Sequence, residues 1–283
     1  MLCSHIMSAQ ILDGRKVRTA LLPRLMEKIR GLPVVPTLAI IQIGDRADSA
    51  SFIKAKKAFA NKIGVNEKHI QLPENISQEE VVDAIRGCNE DPNIQGIIVQ
   101  LPLPAYIERN IVINTIDLKK DVDALTTVNV QKWSEGKGIL PATARGVREL
   151  LDFYKISLRD KKVTVVGRSE LVGKPIAVMC QNEGAVVTVC HSKTPDLAAE
   201  TKKANIVICA VGKPGLIGAK HVKKGQIIID VGINRKEDGT LAGDVDFEAV
   251  KNIVAAITPV PGGVGQMTVL ALFENLVDIC GNI

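Results

Sequence analysis

Aromatic residues are scarce: one Trp, two Tyr and five Phe make up 3% of 283 residues. The core must therefore be filled by Ile, Val, Leu and Ala, and there is no aromatic platform on which nucleic-acid bases could stack. A strong excess of one charge is also missing. Thirty-six Lys and Arg against 31 Asp and Glu leave a net +5 spread along the chain. That fits small anionic ligands and lacks the concentrated basic face of a nucleic-acid-binding protein. Clustered cysteines are absent: Cys3, Cys88, Cys180, Cys190, Cys209 and Cys280 lie far apart, with no C-x-x-C pair and no His spaced to complete a metal site. They read as free thiols in a reducing cytoplasm, and no metal is expected. The longest uncharged run, Asn252 to Phe273, is broken by Pro259, Pro261, Gly262, Gly263 and Gly265, so no membrane anchor is expected. The opening MLCSHIM has neither a basic start nor a sustained apolar run and does not read as a signal peptide.

What remains is a globular composition, 46% hydrophobic and 24% charged, in a chain long enough for about two domains at roughly 150 residues each. Its pattern alternates. A helical run from about Gly14 to Arg30 precedes the apolar Thr37 to Gly44. An amphipathic stretch from Ser49 to Ile63 is stopped by Gly64, and a short strand follows near His69 to Leu72. Ser77 and Glu80 have the spacing of a capping box that opens a helix to about Cys88, and Ile94 to Pro104 reads as a strand halted by prolines. From about Ser157 the alternation restarts in five apolar strands: Val163 to Gly167, Val186 to His191, Asn205 to Gly212, Gln226 to Gly232 and Ala255 to Val260. Each is nearly continuous in Val and Ile, as strands buried on both faces should be. The pattern predicts an α/β protein with two parallel sheets, the chain crossing between them near Trp133 to Gly138, and a last helix from Met267 to Ile279 that is free to pack on the first sheet.

Two places carry chemistry. The strand at Val163 to Gly167 runs through Arg168 and Ser169 to Gly173, Lys174 and Pro175 and into a helix, the arrangement a pyrophosphate needs. The full G-x-G-x-x-G is absent because Ser169 takes the middle glycine's place. Past the next strand the chain reads Cys190-His191-Ser192-Lys193-Thr194, without the acid that holds a ribose in NAD-selective folds. Ser192, with Arg168 or Lys193, suits a 2′-phosphate, so NADP is preferred over NAD. Taken singly, His191 as a satisfied strand-end residue and Lys193 as a solvated charge are equally good readings. In the first half, Phe52 and Lys56 share one helix face, whereas Lys54 and Lys57 read as solvated. Spacing alone would leave Lys56 on the surface as well. Gln100 at the end of a strand and the carboxylates of Lys120-Asp121-Val122-Asp123 raise its standing, since ligands gather at the carboxyl ends of parallel strands.

Ser49 to Lys56, VQLPLP, KDVDAL, VVGRSELVGKP, CHSKT and TPVPGGVGQMT occur in this order over essentially the whole chain. Together they resemble the bifunctional methylenetetrahydrofolate dehydrogenase/cyclohydrolase family. The resemblance implies a two-domain homodimer with a cleft between the domains. An N-terminal α/β catalytic domain would comprise residues 1–124 and 265–283, and a Rossmann-like NADP-binding domain residues 125–264, with the C-terminal helix returning to the first. It implies oxidation of 5,10-methylenetetrahydrofolate with NADP, then hydrolysis of the methenyl product to 10-formyltetrahydrofolate. By motif, Lys56 is the catalytic lysine, Gln100 its hydrogen-bond partner and Asp123 the carboxylate that holds the pterin. Ser49, Phe52, Leu101, Pro102, Pro261, Gly262 and Gly263 fall to the folate. Thr143, Gly167, Arg168, Ser169, Gly173, Pro175, His191, Ser192, Val211, Gly212, Gly232, Ile233 and Thr268 fall to the cofactor.

The chain departs from the family pattern near the substrate. Phe52 stands where the family has Tyr, Ala124 where it has Gly, Gln266 where it has Pro, and Ala142 and Ala144 occur where it usually reads PCTP. Phe keeps the ring and loses the hydroxyl, so the hydrolytic step is the one expected to weaken. A dehydrogenase without hydrolysis is the alternative reading, and an inactive nucleotide-binding protein a more distant one. Lys56 can act as a neutral base if its pKa is depressed by roughly 3 units, or as an ammonium donor if it is not.

Overall fold

A computed structural model describes residues 8–281, with the backbone alone for 47–49, so Cys3 and the Ser49 side chain lie outside the described residues. By packing, the chain divides into two units, one of residues 20–142 and 269–281, the other of residues 8–19 and 143–268.

In the first unit the β-branched run Thr37–Ile43 forms the middle strand of a three-stranded parallel sheet, between Asn66–Leu72 and Gly96–Val99. The last of these is shorter than the sequence suggests. Asp91 to Ile94 closes a turn, and Gln100 extends the pairing only through its N–H to the Ile41 carbonyl. Ser77 and Glu80 form the expected capping box at the start of the helix Gln78–Glu90, whose Val81 and Ile85 pack with Ile41 and Ile97. The C-terminal helix Val264–Gly281 brings its second half to this unit, as the sequence leads one to expect. Phe273 meets Phe59 with centroids 5.4 Å apart, and Leu276 lies where a side chain on Gly96 would have to be. At 18 residues this helix is long and apolar enough to cross a bilayer, yet Met267, Leu270, Phe273 and Leu276 are buried in the protein.

The second unit holds a six-stranded parallel sheet in the order Gln10–Ile11, Ala256–Ile257, Ile227–Asp230, Ile206–Cys209, Lys162–Val166, Val186–Cys190. Five of these strands are expected from the sequence. Gln10–Ile11, only two residues long, joins at the edge beside Ala256–Ile257 and carries no pattern of its own. The antiparallel pair Asn234–Arg235 and Leu241–Ala242 is equally short and also unexpected. Val186–Cys190 corrects the expectation of burial on both faces: it is an edge strand, with Val186 64% and Val189 40% exposed.

The expected division at residue 124 differs from the packing, and the reason is local. The Asp121 carboxylate accepts hydrogen bonds from Thr126 N–H and Asn129 Nδ2, and the Trp133 indole donates to the Ala124 carbonyl, tying the helix Thr127–Ser134 to the first unit. By packing, the first unit therefore runs on to Ala142, beyond the expected crossing at Trp133 to Gly138.

Asn275 is fully buried and donates to both the Val122 and Leu140 carbonyls, at 2.8 Å each. Replacing it with Ala leaves one buried and one half-buried carbonyl without this donor, at about 1–3 kcal/mol for an unsatisfied buried group. Thermal unfolding of Asn275→Ala is expected a few degrees below that of the parent chain.

Candidate active site

The helix Ala47–Ile63 is held by Ile53, Phe59, Ala60 and Ile63, which are buried, and it ends where Gly64 takes a left-handed conformation, φ +77°. With that face against the core, Lys56 turns inward and donates from Nζ to Gln100 Oε1 at 2.8 Å. The Gln100 amide is itself oriented, because Nε2 donates to the Leu101 carbonyl at 2.9 Å and so leaves Oε1 for the lysine. The following bond, Leu101-Pro102, is cis. Phe52, one turn before Lys56, is 43% exposed and presents its ring to solvent. Lys57 does not stay solvated as expected: it pairs with Glu67 at 3.6 Å.

Asp123 belongs to the same unit. Its Oδ1 accepts from the Ala142 N–H at 3.0 Å. Burial pushes its carboxyl up to about 6, opposed by the Ala142 N–H and the Lys56 charge. Burial pulls the Lys56 ammonium down to about 8, opposed by the Asp123 charge. An acid raised and an amine lowered toward neutrality, each acting on the other's charge, are the kind of groups found where protons are moved near physiological pH. Of the substituted residues, Ala124 sits at φ +53°, where a residue other than Gly costs about 1–2 kcal/mol, so the family's Gly has a conformational reason. Ala142 acts through its backbone on Asp123, and Ala144 is buried. Gln266 uses its backbone N–H on the Gly263 carbonyl.

The other unit collects its expected residues at the carboxyl ends of the parallel strands. Gly167 has φ +123°, and a Cβ there would lie 2.1 Å from the Ala210 carbonyl oxygen. Gly173 opens the helix Gly173–Asn182 so close to Gly167 that a Cβ would meet its carbonyl oxygen at 2.4 Å. Only glycines permit this turn, in which Ser169 Oγ accepts from the Gly173 N–H at 3.2 Å and Arg168 is exposed. Pro175 is buried in the first turn of that helix. After the edge strand, the His191 N–H donates to Thr194 Oγ1 and its Nδ1 accepts from the Lys193 N–H, leaving Ser192 and Lys193 exposed. The nearest acid downstream, Asp196, is engaged as the cap of Leu197–Lys203. This carboxylate-free turn suits a phosphorylated ribose.

Val211 and Gly212 follow the strand Ile206–Cys209, and Gly232 and Ile233 follow Ile227–Asp230. Thr143 lies in the first turn of the helix Ala142–Phe153 and Thr268 at the start of the second turn of Val264–Gly281, and these helices touch at Gly146 and Met267. Pro261, Gly262 and Gly263 also belong to this unit. There Arg15 donates to the Pro261 carbonyl at 3.2 Å and Gly14 N–H to the Gly262 carbonyl at 2.9 Å. Three features of the two regions escape the sequence reading: the Ala142 N–H on Asp123, the contact of Arg15 with Pro261, and the buried carboxylates Asp230 and Asp244 beneath the loops at 211 and 232. The last had one visible signal, two acids set in the otherwise apolar runs IIIDVG and AGDVD. Among the described residues no group of three or more His, Cys, Asp or Glu is placed to hold a metal ion.

Residues 12–123 match the profile described as tetrahydrofolate dehydrogenase/cyclohydrolase, catalytic domain, and residues 141–282 the NAD(P)-binding domain of the same description. The chain is 45% identical over 276 residues to the bifunctional protein FolD of Geobacillus thermodenitrificans, covering 96% of this chain and 97% of that one. It is similar to the crystal structure of the bifunctional enzyme FolD from Campylobacter jejuni, with a TM-score of 0.94, 40% identity and coverage of 97% and 99%. It is similar also to the Trypanosoma brucei methylenetetrahydrofolate dehydrogenase-cyclohydrolase complexed with NADP cofactor and inhibitor, with a TM-score of 0.92, 35% identity and 98% coverage of both chains. Matched along nearly its whole length in both halves, the chain belongs to the tetrahydrofolate dehydrogenase/cyclohydrolase family.

Proposed function

We propose that the protein oxidises 5,10-methylenetetrahydrofolate to 5,10-methenyltetrahydrofolate with NADP and hydrolyses that product to 10-formyltetrahydrofolate. The observation that carries this reading is the Lys56–Gln100 contact beside Asp123, in a chain whose relatives are bifunctional FolD proteins. The first unit is the folate-binding, catalytic one and the second the NADP-binding one.

Asp123, at about 6, is largely ionised at pH 7. With Oδ1 already accepting from Ala142, it keeps free lone pairs for the amino and ring N–H donors of a pterin. Phe52, Ser49, Leu101 and Pro102 complete the folate side, and the Pro261–Gly263 turn also serves the folate. NADP suits Gly167, Arg168, Ser169, Gly173 and Pro175 at the pyrophosphate turn, and His191 and Ser192 at the phosphorylated ribose. Val211, Gly212, Gly232, Ile233, Thr143 and Thr268 serve the rest of the cofactor. When bound, NADP accepts the hydride removed from the one-carbon bridge.

Removal of hydride leaves the folate as a cation, which a permanently charged neighbour would oppose. A lysine at about 8 is about 10% neutral at pH 7, against about 0.03% at its ordinary 10.5, so Lys56 sheds its charge readily. The neutral amine then takes a proton from the water that attacks the bridging carbon. The N5–carbon bond breaks, N5 takes up a proton, and the formyl group stays on N10. Gln100 holds the amine at the bridge and, being neutral, adds no charge to the cation.

The protein acts as a homodimer in the cytoplasm. Support for the first comes from the unpaired edge Val186–Cys190, whose exposed valines call for cover and which can pair with its own copy about a two-fold axis. Support for the second comes from five free thiols among the described residues.

Three measurements test these statements. With methylenetetrahydrofolate and NADP, the protein is expected to form NADPH with little methenyl intermediate beyond its spontaneous turnover. Accumulation of methenyl would show a dehydrogenase without hydrolysis, and Phe52→Tyr is expected to raise the hydrolytic rate up to about tenfold, the value of one well-made hydrogen bond. Hydrolysis corrected for the spontaneous reaction is expected to rise with pH and level off above about 8, and Lys56→Met to abolish it. A rate that falls through pH 8 would instead assign the ammonium as a donor. In sedimentation, the parent chain is expected to run as a dimer and Val189→Glu as a monomer.

A further inference from the structure

Beneath the loops given to the cofactor lies a fully buried carboxylate whose hydrogen bonds to the expected cofactor residues come from their main-chain amides. Asp244 accepts from Val211 N–H at 2.6 Å and Gly212 N–H at 3.1 Å on Oδ2, and from Lys213 N–H at 2.8 Å and Asn234 Nδ2 at 3.0 Å on Oδ1. Its own N–H donates to Asp230 Oδ1 at 3.0 Å. The same oxygen accepts from Gly232 N–H at 3.1 Å, and Oδ2 accepts from Val245 N–H at 2.9 Å. The fit is close enough that a Cβ on Gly232 would lie 2.3 Å from the Asp244 carboxyl carbon.

Adjacent parallel strands, Ile206–Cys209 and Ile227–Asp230, end on either side of this group. Where such strands end, consecutive amides lose their sheet partners and must find others if they are buried. Asp244 supplies them for the first loop and, through Asn234, reaches the second. Burial pushes Asp230 up to about 7, its amide donors opposing and the Asp244 charge adding to the rise.

We propose that Asp244 is a positioning residue for the cofactor: by gathering the amides of 211–213 and the side chain of Asn234 on one carboxylate, it sets the relative placement of the two loops that receive NADP. This rests on the NADP reading above. The two loops are separate in sequence, and among the described residues no other side chain accepts hydrogen bonds from both, so without the carboxylate each is free to take its own conformation. The cost then falls on binding of the cofactor, not on the folate residues of the other unit.

The test uses Asp244→Asn, which keeps the shape and turns one acceptor oxygen into a donor facing amide donors. Amide hydrogen exchange in the cofactor-free protein is expected to accelerate at 211–213. NADP binding by calorimetry is expected to weaken at least tenfold, the KM for NADP to rise in step, and the KM for the folate to stay within about twofold. Unaltered NADP affinity in a folded Asp244→Asn protein overturns the proposal. If the parent chain itself binds no NADP, it is the functional reading that falls. Should Asp244→Asn not fold, Asn234→Ala, which removes one donor only, takes its place. At least threefold weaker NADP binding supports the proposal, and unchanged binding overturns it.

Discussion

Buried carboxylates take up main-chain amides where strands give way to loops, and both functional regions depend on this. Asp121 accepts from the amides of Leu125 and Thr126, Asp123 from Ala142, Asp230 from Gly232, Asp244 and Val245, and Asp244 from the three amides after Ala210. A parallel sheet forces this solution. Each strand must leave at the end where ligands gather, and the backbone that turns away there has no sheet neighbour to bond. A short acidic side chain satisfies several donors at once and keeps the loop from wandering. Hydrogen bonds to a charged acceptor are also stronger than those between neutral groups.

The same constraint explains how two chemically ordinary side chains become useful. Asp123 is fixed by one amide and loses its hydration, so its pKa climbs, while Lys56 is carried inward to Gln100 on the side of the helix that meets the core, and burial lowers its pKa. Neither shift needs an unusual residue. Each follows from the burial imposed by Ile53, Phe59 and Phe273 around the helix and by the anchoring of residues 121–133 on the first unit. Phe52 shows the other side of this: exposed and without a hydroxyl, it offers the folate a ring and offers the lysine nothing.

Long elements were legible in the sequence because their burial is periodic. Thr37–Ile43, the capping box at Ser77 and Glu80, the Gly64 stop and three strands of the second sheet lie where the pattern puts them, within a residue or two. Gln10–Ile11 and the pair at 234–242 were not legible, since two residues cannot show a period and their strand character exists only through pairing with distant chain. The exposure of Val186 and Val189 was misread for a related reason: an edge strand beside a buried one has the same apolar composition, and nothing local says which side lacks a neighbour.

The sequence by itself determined the alternation of strands and helices, the glycines that permit a tight turn at Gly167 and Gly173, the absence of an acid after Cys190, and the identities of Lys56, Gln100 and Asp123 as candidates. Those are properties of residue type and spacing, and they persist in the unfolded chain. Tertiary structure alone decided that the Gln100 amide turns its oxygen to Lys56, that Ala142 reaches back to Asp123, that Arg15 meets Pro261, and that Asp244 lies under the loop at 211–213, 31 residues before it at Lys213. Each of these is a hydrogen bond between groups far apart in sequence, whose strength and titration depend on how much water the fold excludes, and no local pattern encodes that.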